Sequence, residues 1–96
     1  MLKSWPKFFR PIVSETRTHE LREDDRGYAV GDSLELHEYD PDSASYTEAT
    51  AIATVTSLTS AETTCAVSDV ALHPGYCILS IRVLEWQEAP EVSPSV

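Results

Sequence analysis

Residues 33–39 read SLELHEY, and their alternation decides the fold class. Leu34, Leu36 and Glu38 fall on one side of an extended chain and the residues between them fall on the other, since successive strand side chains point to opposite faces. This period of two predicts a strand with one face in a core. Residues 76–84 predict a second strong strand by the same pattern. Its inward positions are expected to be Cys77, Leu79, Ile81 and Val83.

Two further segments outside this pair are predicted to be strands. Residues 46–58 are rich in Thr, Ala, Ile and Val, which suit a pleated, half-buried surface. Residues 17–22 read RTHELR and also alternate, with Thr18, Glu20 and Arg22 on one face. Four or five short strands are therefore expected.

A short helix is predicted over residues 5–13, with Ser4 as its N-cap. Pro6 falls in the first turn, where a missing N–H costs little, and Pro11 limits the helix to about two turns. Residues 59–72 give no clear pattern and are interpreted as a loop with one helical turn.

These elements predict an α+β, mainly β domain of about five strands with one or two short helices. In 96 residues they favour a small, strongly bent β-barrel whose ends are covered by the helices. One domain over residues 1–86 and a flexible tail over 87–96, which holds two prolines in its last seven residues, are expected.

Charge is distributed unevenly along the chain, whose formal charge is −9. Residues 1–26 hold six of the seven Lys and Arg residues against five acids, and residues 27–96 hold only Arg82 against eleven acids. Binding of long duplex DNA is not expected, because the field over most of the protein would repel a polyanion. A small cationic site inside an acidic surface is compatible with these numbers.

The sequence indicates no cofactor, no catalytic set and no metal site. Cys65, His73 and Cys77 lack the paired spacing and the fourth ligand of a zinc site, and Cys77 is expected to be a core residue. No apolar run reaches the ~18–20 residues of a membrane span, and the first residues do not resemble a signal peptide. A cytoplasmic protein with reduced cysteines is expected.

The order of short motifs resembles small phage and bacterial domains of unknown function in the ASCH branch of the PUA-like superfamily. The matching residues span about 2–84 and are Leu2-Lys3, Trp5-Pro6, Phe8-Phe9, Arg17-Thr18, Glu20-Leu21-Arg22, Asp25-Arg26, Val30-Gly31-Asp32, Glu38-Tyr39-Asp40-Pro41, Tyr46-Thr47 and Gly75 through Ile81. The resemblance implies a PUA-like β-barrel with a cleft beside the first helix that takes RNA or a modified nucleobase.

The resemblance predicts a non-catalytic module that binds an RNA segment or nucleotide. Arg17 and Arg22 are expected to hydrogen-bond phosphate or a base edge, and Glu20 to accept from a base amino group. Thr18, Asp25 and Arg26 are expected to line the same cleft. The stacking faces for a base are expected to come from Trp5, Phe9 or Tyr39.

Structural interpretations stand beside these roles. Glu20 and Arg22, two residues apart on a strand, also fit a structural ion pair, and Asp25 with Arg26 also fits a pair that fixes a turn. The helix aromatics also fit core positions. Residues 30–32 favour a turn that opens a strand.

Two other functions remain as alternatives. The excess of acids, among them Glu35, Glu38, Asp40 and Asp42, would suit a protein-interaction module that inhibits a host protein. Some ASCH members are amidohydrolases that deacetylate N4-acetylcytidine with a Lys-Thr-x-Thr-x-Arg segment and a distant Glu.

Here the aligned segment has Arg17 for the lysine and Glu20 for the second threonine, and Glu62 is the nominal distant acid. Because a guanidinium stays protonated and is a poor base, hydrolysis by that mechanism is not expected.

Overall fold

The computed structural model describes residues 2–63 and 66–89. Its elements, in chain order, are β1 (Leu2–Ser4), α1 (Pro6–Val13), β2 (His19–Glu23), β3 (Ser33–Asp40), β4 (Ser45–Ser60), α2 (Ser68–Ala71) and β5 (Tyr76–Gln87). The domain is mainly β, with short helices, as the alternating segments predict.

All five strands form one sheet in the order β1-β3-β4-β5-β2. The short β1 runs parallel to β3, with Leu2 opposite Leu36, and the other neighbours are antiparallel. The sheet is curled into a half-barrel, so β1 and β2 are its two edges within the described chain.

Irregularities in strand pairing accompany this curl. The β4–β5 register shifts between Ile52 and Ala53 and again between Val55 and Ser57, and the β3–β4 register shifts between His37 and Tyr39. An extra residue in one strand bends it and increases its local twist.

The core lies on the inner face of the curled sheet and is closed by α1. The alternation in β3 is confirmed, because Leu34, Leu36 and Glu38 are all buried. In β5 the predicted inward positions are also confirmed, since three are buried and Val83 is partly buried against the core. The other buried apolar side chains are Leu2, Phe9, Ile12, Tyr28, Ala49, Ala51, Ala53 and Val55.

Several element bounds differ from those predicted. Residues 2–4 form a strand that the sequence pattern did not predict, so Ser4 belongs to β1 and Trp5 becomes the N-cap of α1. The strand predicted over 76–84 continues to Gln87, the first residue of the predicted tail, and residues 90–96 of that tail lie outside the described residues. The predicted turn at residues 30–32 is confirmed, with Asp32 Oδ2 accepting from the Ala29 N–H at 2.9 Å.

Candidate functional site

A cleft opens between the two sheet edges, where β1 passes into α1 and β2 runs opposite. Its volume is about 620 Å³. We call it the edge cleft, and its lining residues are Lys3, Ser4, Trp5, Phe8, Arg17, His19, Glu20, Leu21, Arg22 and Glu23. Four of the nine predicted site residues therefore meet in one place: Trp5, Arg17, Glu20 and Arg22.

Arg22 connects the two edges of the sheet. Its Nη2 donates to the Lys3 carbonyl of β1 at 2.7 Å, and its Nε donates to Glu20 Oε2 at 2.9 Å. A guanidinium carries five N–H donors, so donors remain on a side chain that is 23% exposed. Arg22 thus joins β1 to β2 and still faces the cleft.

Glu20 is a buried carboxylate, 5% exposed, on the inner face of β2 beside Leu79. Its Oε2 is held by Arg22, whereas Arg17 Nη2 lies 3.8 Å from Oε1, beyond hydrogen-bond length. Oε1 accepts no hydrogen bond from the described residues. The predicted ion pair of Glu20 and Arg22 is therefore present, and one carboxylate oxygen keeps its acceptor capacity.

Arg17 lies between the carboxylate and the aromatic side of the cleft. Its Nε donates to the His19 carbonyl at 3.1 Å, and its guanidinium carbon lies 4.6 Å from the centre of the Phe8 ring. A guanidinium over a ring face is attracted to the ring's quadrupole. The side chain is therefore positioned by contacts on two sides of the cleft.

The aromatic side of the cleft is formed by Trp5 and Phe8. Their ring centroids are 6.4 Å apart with 23° between the planes, and Lys7 Nζ lies 5.7 Å and 5.1 Å from the two centroids. Trp5 is 45% exposed, because as the N-cap of a helix that begins at Pro6 it lies outside the core-facing stripe. A half-exposed indole thus lies in the same cleft as the cations Lys3, Arg17 and Arg22.

Ser4, on the wall of the edge cleft, carries a polar group without a partner. The residue is 4% exposed, and its Oγ has no hydrogen-bond partner within the described chain. An unpaired buried hydroxyl is unfavourable, at about 1–3 kcal/mol.

Phe9, predicted as a stacking face, is fully buried in the core and presents no face to the cleft. That prediction is corrected by the helix geometry, in which neighbouring side chains point about 100° apart. Phe8, one residue earlier, lines the cleft instead.

Tyr39 does not line the cleft but lies next to it. Lys3 Nζ, from the cleft, is 4.4 Å from the centre of the Tyr39 ring, and the ring packs edge-on against Tyr46 at 5.1 Å. Tyr39 therefore positions Lys3 in this structure.

Thr18, Asp25 and Arg26 lie outside the edge cleft. The Thr18 carbonyl accepts from the Ile81 N–H at 2.9 Å, which extends the β2–β5 pairing, and its side chain is exposed. Asp25 and Arg26 lie in the loop after β2, with Arg26 Nε 3.9 Å from Asp25 Oδ1, beside a smaller recess that shares Arg22 and Glu23 with the edge cleft. The pair expected to fix a turn is therefore present there.

A second charged cluster, around Arg10, was not predicted from the sequence. The Arg10 guanidinium binds both oxygens of Glu38 at 2.9 Å, and Thr47 Oγ1 donates to Glu38 Oε1 at 2.7 Å. Arg10 also binds Glu88, just beyond β5, at 2.9 Å. These side chains come from four segments far apart in sequence, so no local spacing indicates their contact.

Hydrogen bonds to Glu88 and then Glu38 raise the pKa of Arg10 above its usual range, and the hydrogen bond from Arg10 lowers the pKa of Glu88. Glu38 is 2% exposed, which removes it from the acidic surface on which the sequence placed it. It is instead an internal anion that joins α1, β3 and β4.

The other chemical candidates lie elsewhere. Glu62 lies in the turn after β4 and lines a different recess from Arg17 and Glu20. Cys77 is a buried free cysteine whose pKa is raised by burial, and Cys65 lies outside the described residues. Within residues 2–63 and 66–89, no group of three or more His, Cys, Asp or Glu side chains could hold a metal ion.

Across the same described ranges, neither helix combines the length and the apolar content needed to cross a membrane.

The chain matches the family described as Domain of unknown function (DUF3850) over residues 1–81, and because this match covers most of its length the chain belongs to that family. No curated protein matches it. The matched range contains every residue that lines the edge cleft.

Proposed function

We propose that this chain is a non-catalytic binding module of PUA-like, ASCH type that holds a nucleotide or a short single-stranded RNA segment in the edge cleft. The observation that carries the proposal is the Trp5–Phe8 pair, open to solvent and flanked by Lys3, Arg17 and Arg22. A stacking face combined with cationic groups is how single strands are bound with little sequence preference.

Base stacking would use the indole of Trp5. The indole lines the cleft and is 45% exposed, and the Phe8 ring stacks against it with the centroids 6.4 Å apart. Stacking of a base on an aromatic side chain contributes about 1–3 kcal/mol. A support that fixes the indole in place reduces the side-chain entropy that binding would otherwise cost.

Phosphate binding would use the cations of the cleft. Lys3, Arg17 and Arg22 face two acids, Glu20 and Glu23, which leaves one net positive charge in a protein of formal charge −9. A guanidinium that is held by protein contacts and keeps free N–H donors suits a phosphate. The acids elsewhere favour a short ligand over a long polyanion.

A non-catalytic role is supported by the residues of the cleft. Arg17 stands where the resemblance would place a lysine base, and a guanidinium remains protonated in proteins. Glu20 already forms an ion pair with Arg22 at 2.9 Å, and Glu62 lies at another recess. The arrangement therefore favours binding over proton transfer.

Tryptophan fluorescence tests the proposal, since the chain has two tryptophans and Trp86 lies on β5 away from the cleft. Titration of Trp86→Phe with nucleoside monophosphates and short RNA should give saturable quenching, because a stacked base quenches Trp5. Trp5→Phe, which keeps Trp86 as the reporter, should show none. Absence of saturable quenching in Trp86→Phe would remove the proposal.

A matched pair of arginine variants tests the location. Arg17→Ala, in the Trp86→Phe background, should weaken nucleotide binding by about tenfold, the loss of roughly one charge-assisted hydrogen bond. Arg82→Ala removes the same charge from an exposed position on β5 and should leave affinity unchanged. Equal losses in both variants would show that net charge alone, not the edge cleft, sets the affinity.

A further inference from the structure

Two polar groups of the edge cleft, the Glu20 carboxylate and the Arg22 guanidinium, are held side by side in a fixed arrangement. Glu20 Oε1 accepts no hydrogen bond within the described chain, its nearest cation being Arg17 Nη2 at 3.8 Å, and the guanidinium of Arg22 is held against the neighbouring Oε2 at 2.9 Å. Because Arg22 is also bound to the Lys3 carbonyl at 2.7 Å, neither group can turn away freely. The cleft thus presents a carboxylate acceptor beside a cationic donor in a fixed order.

Among the common bases, guanine has the edge that complements this order. Its O6 accepts a hydrogen bond, and the adjacent N1–H and N2–H₂ both donate, so a carboxylate can accept two hydrogen bonds while a guanidinium donates to O6. Uracil has one N–H between two carbonyls, and its O2 would face the carboxylate. Adenine and cytosine place a ring-nitrogen lone pair next to their amino group.

We propose that Glu20, positioned by Arg22, makes the edge cleft selective for guanine nucleotides. This inference rests on the proposed function, since it assigns the base that the stacking face holds. Burial strengthens the selection, because a carboxylate that is 5% exposed has little water to replace a missing donor. A base that left Oε1 unpaired or facing a carbonyl would be rejected.

The test compares three nucleotides on the Trp86→Phe protein: guanosine, inosine and uridine monophosphate. Inosine monophosphate keeps O6 and N1–H and lacks only the 2-amino group. We expect the guanosine nucleotide to bind at least about tenfold more tightly than the uridine nucleotide, with the inosine nucleotide between them, because a bidentate contact discriminates by about that factor or more.

A matched pair of carboxylate variants then tests the residue. In Glu20→Gln the preference for guanosine over uridine nucleotide should fall by about tenfold, since the amide N–H₂ meets a donor of guanine. Glu23→Gln removes the same charge from an exposed position lining the same cleft and should keep the preference. Circular dichroism establishes that both variants are folded.

The possible failures are distinguishable. Saturable binding of all three nucleotides with equal affinity would overturn the guanine inference and leave the proposed function standing. No binding of any nucleotide would overturn both. If Glu20→Gln did not fold, the comparison of guanosine with inosine monophosphate on the unmodified site would decide the inference without it.

Discussion

Phe8 and Phe9 are neighbours in the sequence, yet α1 places one at the edge cleft and the other in the core. Ile12, also buried, follows Phe9 by three positions and Phe8 by four, and both spacings bring side chains to one helix face. The sequence pattern therefore allowed either phenylalanine to face the core. Packing against the sheet selected Phe9, which has no exposed surface.

Alanine substitutions at these two positions should separate stability from binding. Phe9→Ala should lower the free energy of unfolding by about 3–5 kcal/mol, because it leaves a cavity in the core. Phe8→Ala should cost about 1 kcal/mol and should weaken nucleotide binding, because Trp5 and Arg17 lose the ring they contact. Urea unfolding and the fluorescence titration measure the two effects. A stable Phe9→Ala variant with impaired nucleotide binding would contradict this assignment.

Among the elements, the strands with one buried and one exposed face were predictable from the sequence, and the shortest strand was not. β3 alternates over residues 33–38 and β5 over residues 76–83, so their inner faces followed from the sequence. β1 has three residues, too few for a period, and is a strand only because it pairs with β3. The edge cleft depends on that pairing, which is why RTHELR indicated Arg17, Glu20 and Arg22 but not Lys3 or Ser4 opposite them.

The contact between α1 and the end of β5 depends on the charge of Glu88. Arg10, on α1, lowers the pKa of Glu88 from its ordinary value of 4.5, so the folded state favours the ionised form. The contribution of this carboxylate to stability is therefore present above that value and is lost as the pH falls through the lowered folded pKa.

Glu88→Gln should consequently reduce the melting temperature slightly at neutral pH, because the pair is exposed and such pairs contribute little. The difference from the unsubstituted protein should disappear well below pH 4.5. Glu85→Gln, at an exposed carboxylate on β5 three residues earlier, serves as the control and should show no such pH-dependent difference. A deficit in Glu88→Gln that persisted at acid pH would show that packing, not charge, explains it.

At the scale of the whole molecule, the charge distribution and the curvature of the sheet together limit which ligands the edge cleft can accept. The sheet remains open between β1 and β2, and Arg22 spans that opening. The cations gathered there occupy a protein whose residues 27–96 carry eleven acids and one arginine. A ligand that extends beyond the cleft meets a repulsive field, so the useful binding energy is confined to about one nucleotide and its neighbours.

The dependence of affinity on RNA length and salt should therefore be unlike that of a general RNA-binding protein. Two or three phosphate contacts in the cleft predict a slope of log affinity against log salt of about −1.4 to −2.1 for a short strand. Lengthening the RNA should not tighten binding per site, and rising salt should weaken long RNA less than short RNA, because it also screens the acids. Titrations of Trp86→Phe with a trinucleotide and a twentyfold longer strand, at about 50 and 200 mM salt, measure both quantities. The prediction would be contradicted by an affinity that rises with RNA length and falls with salt as steeply as about six to ten phosphate contacts require. Such behaviour would need a continuous row of cations across a surface where the sequence places acids.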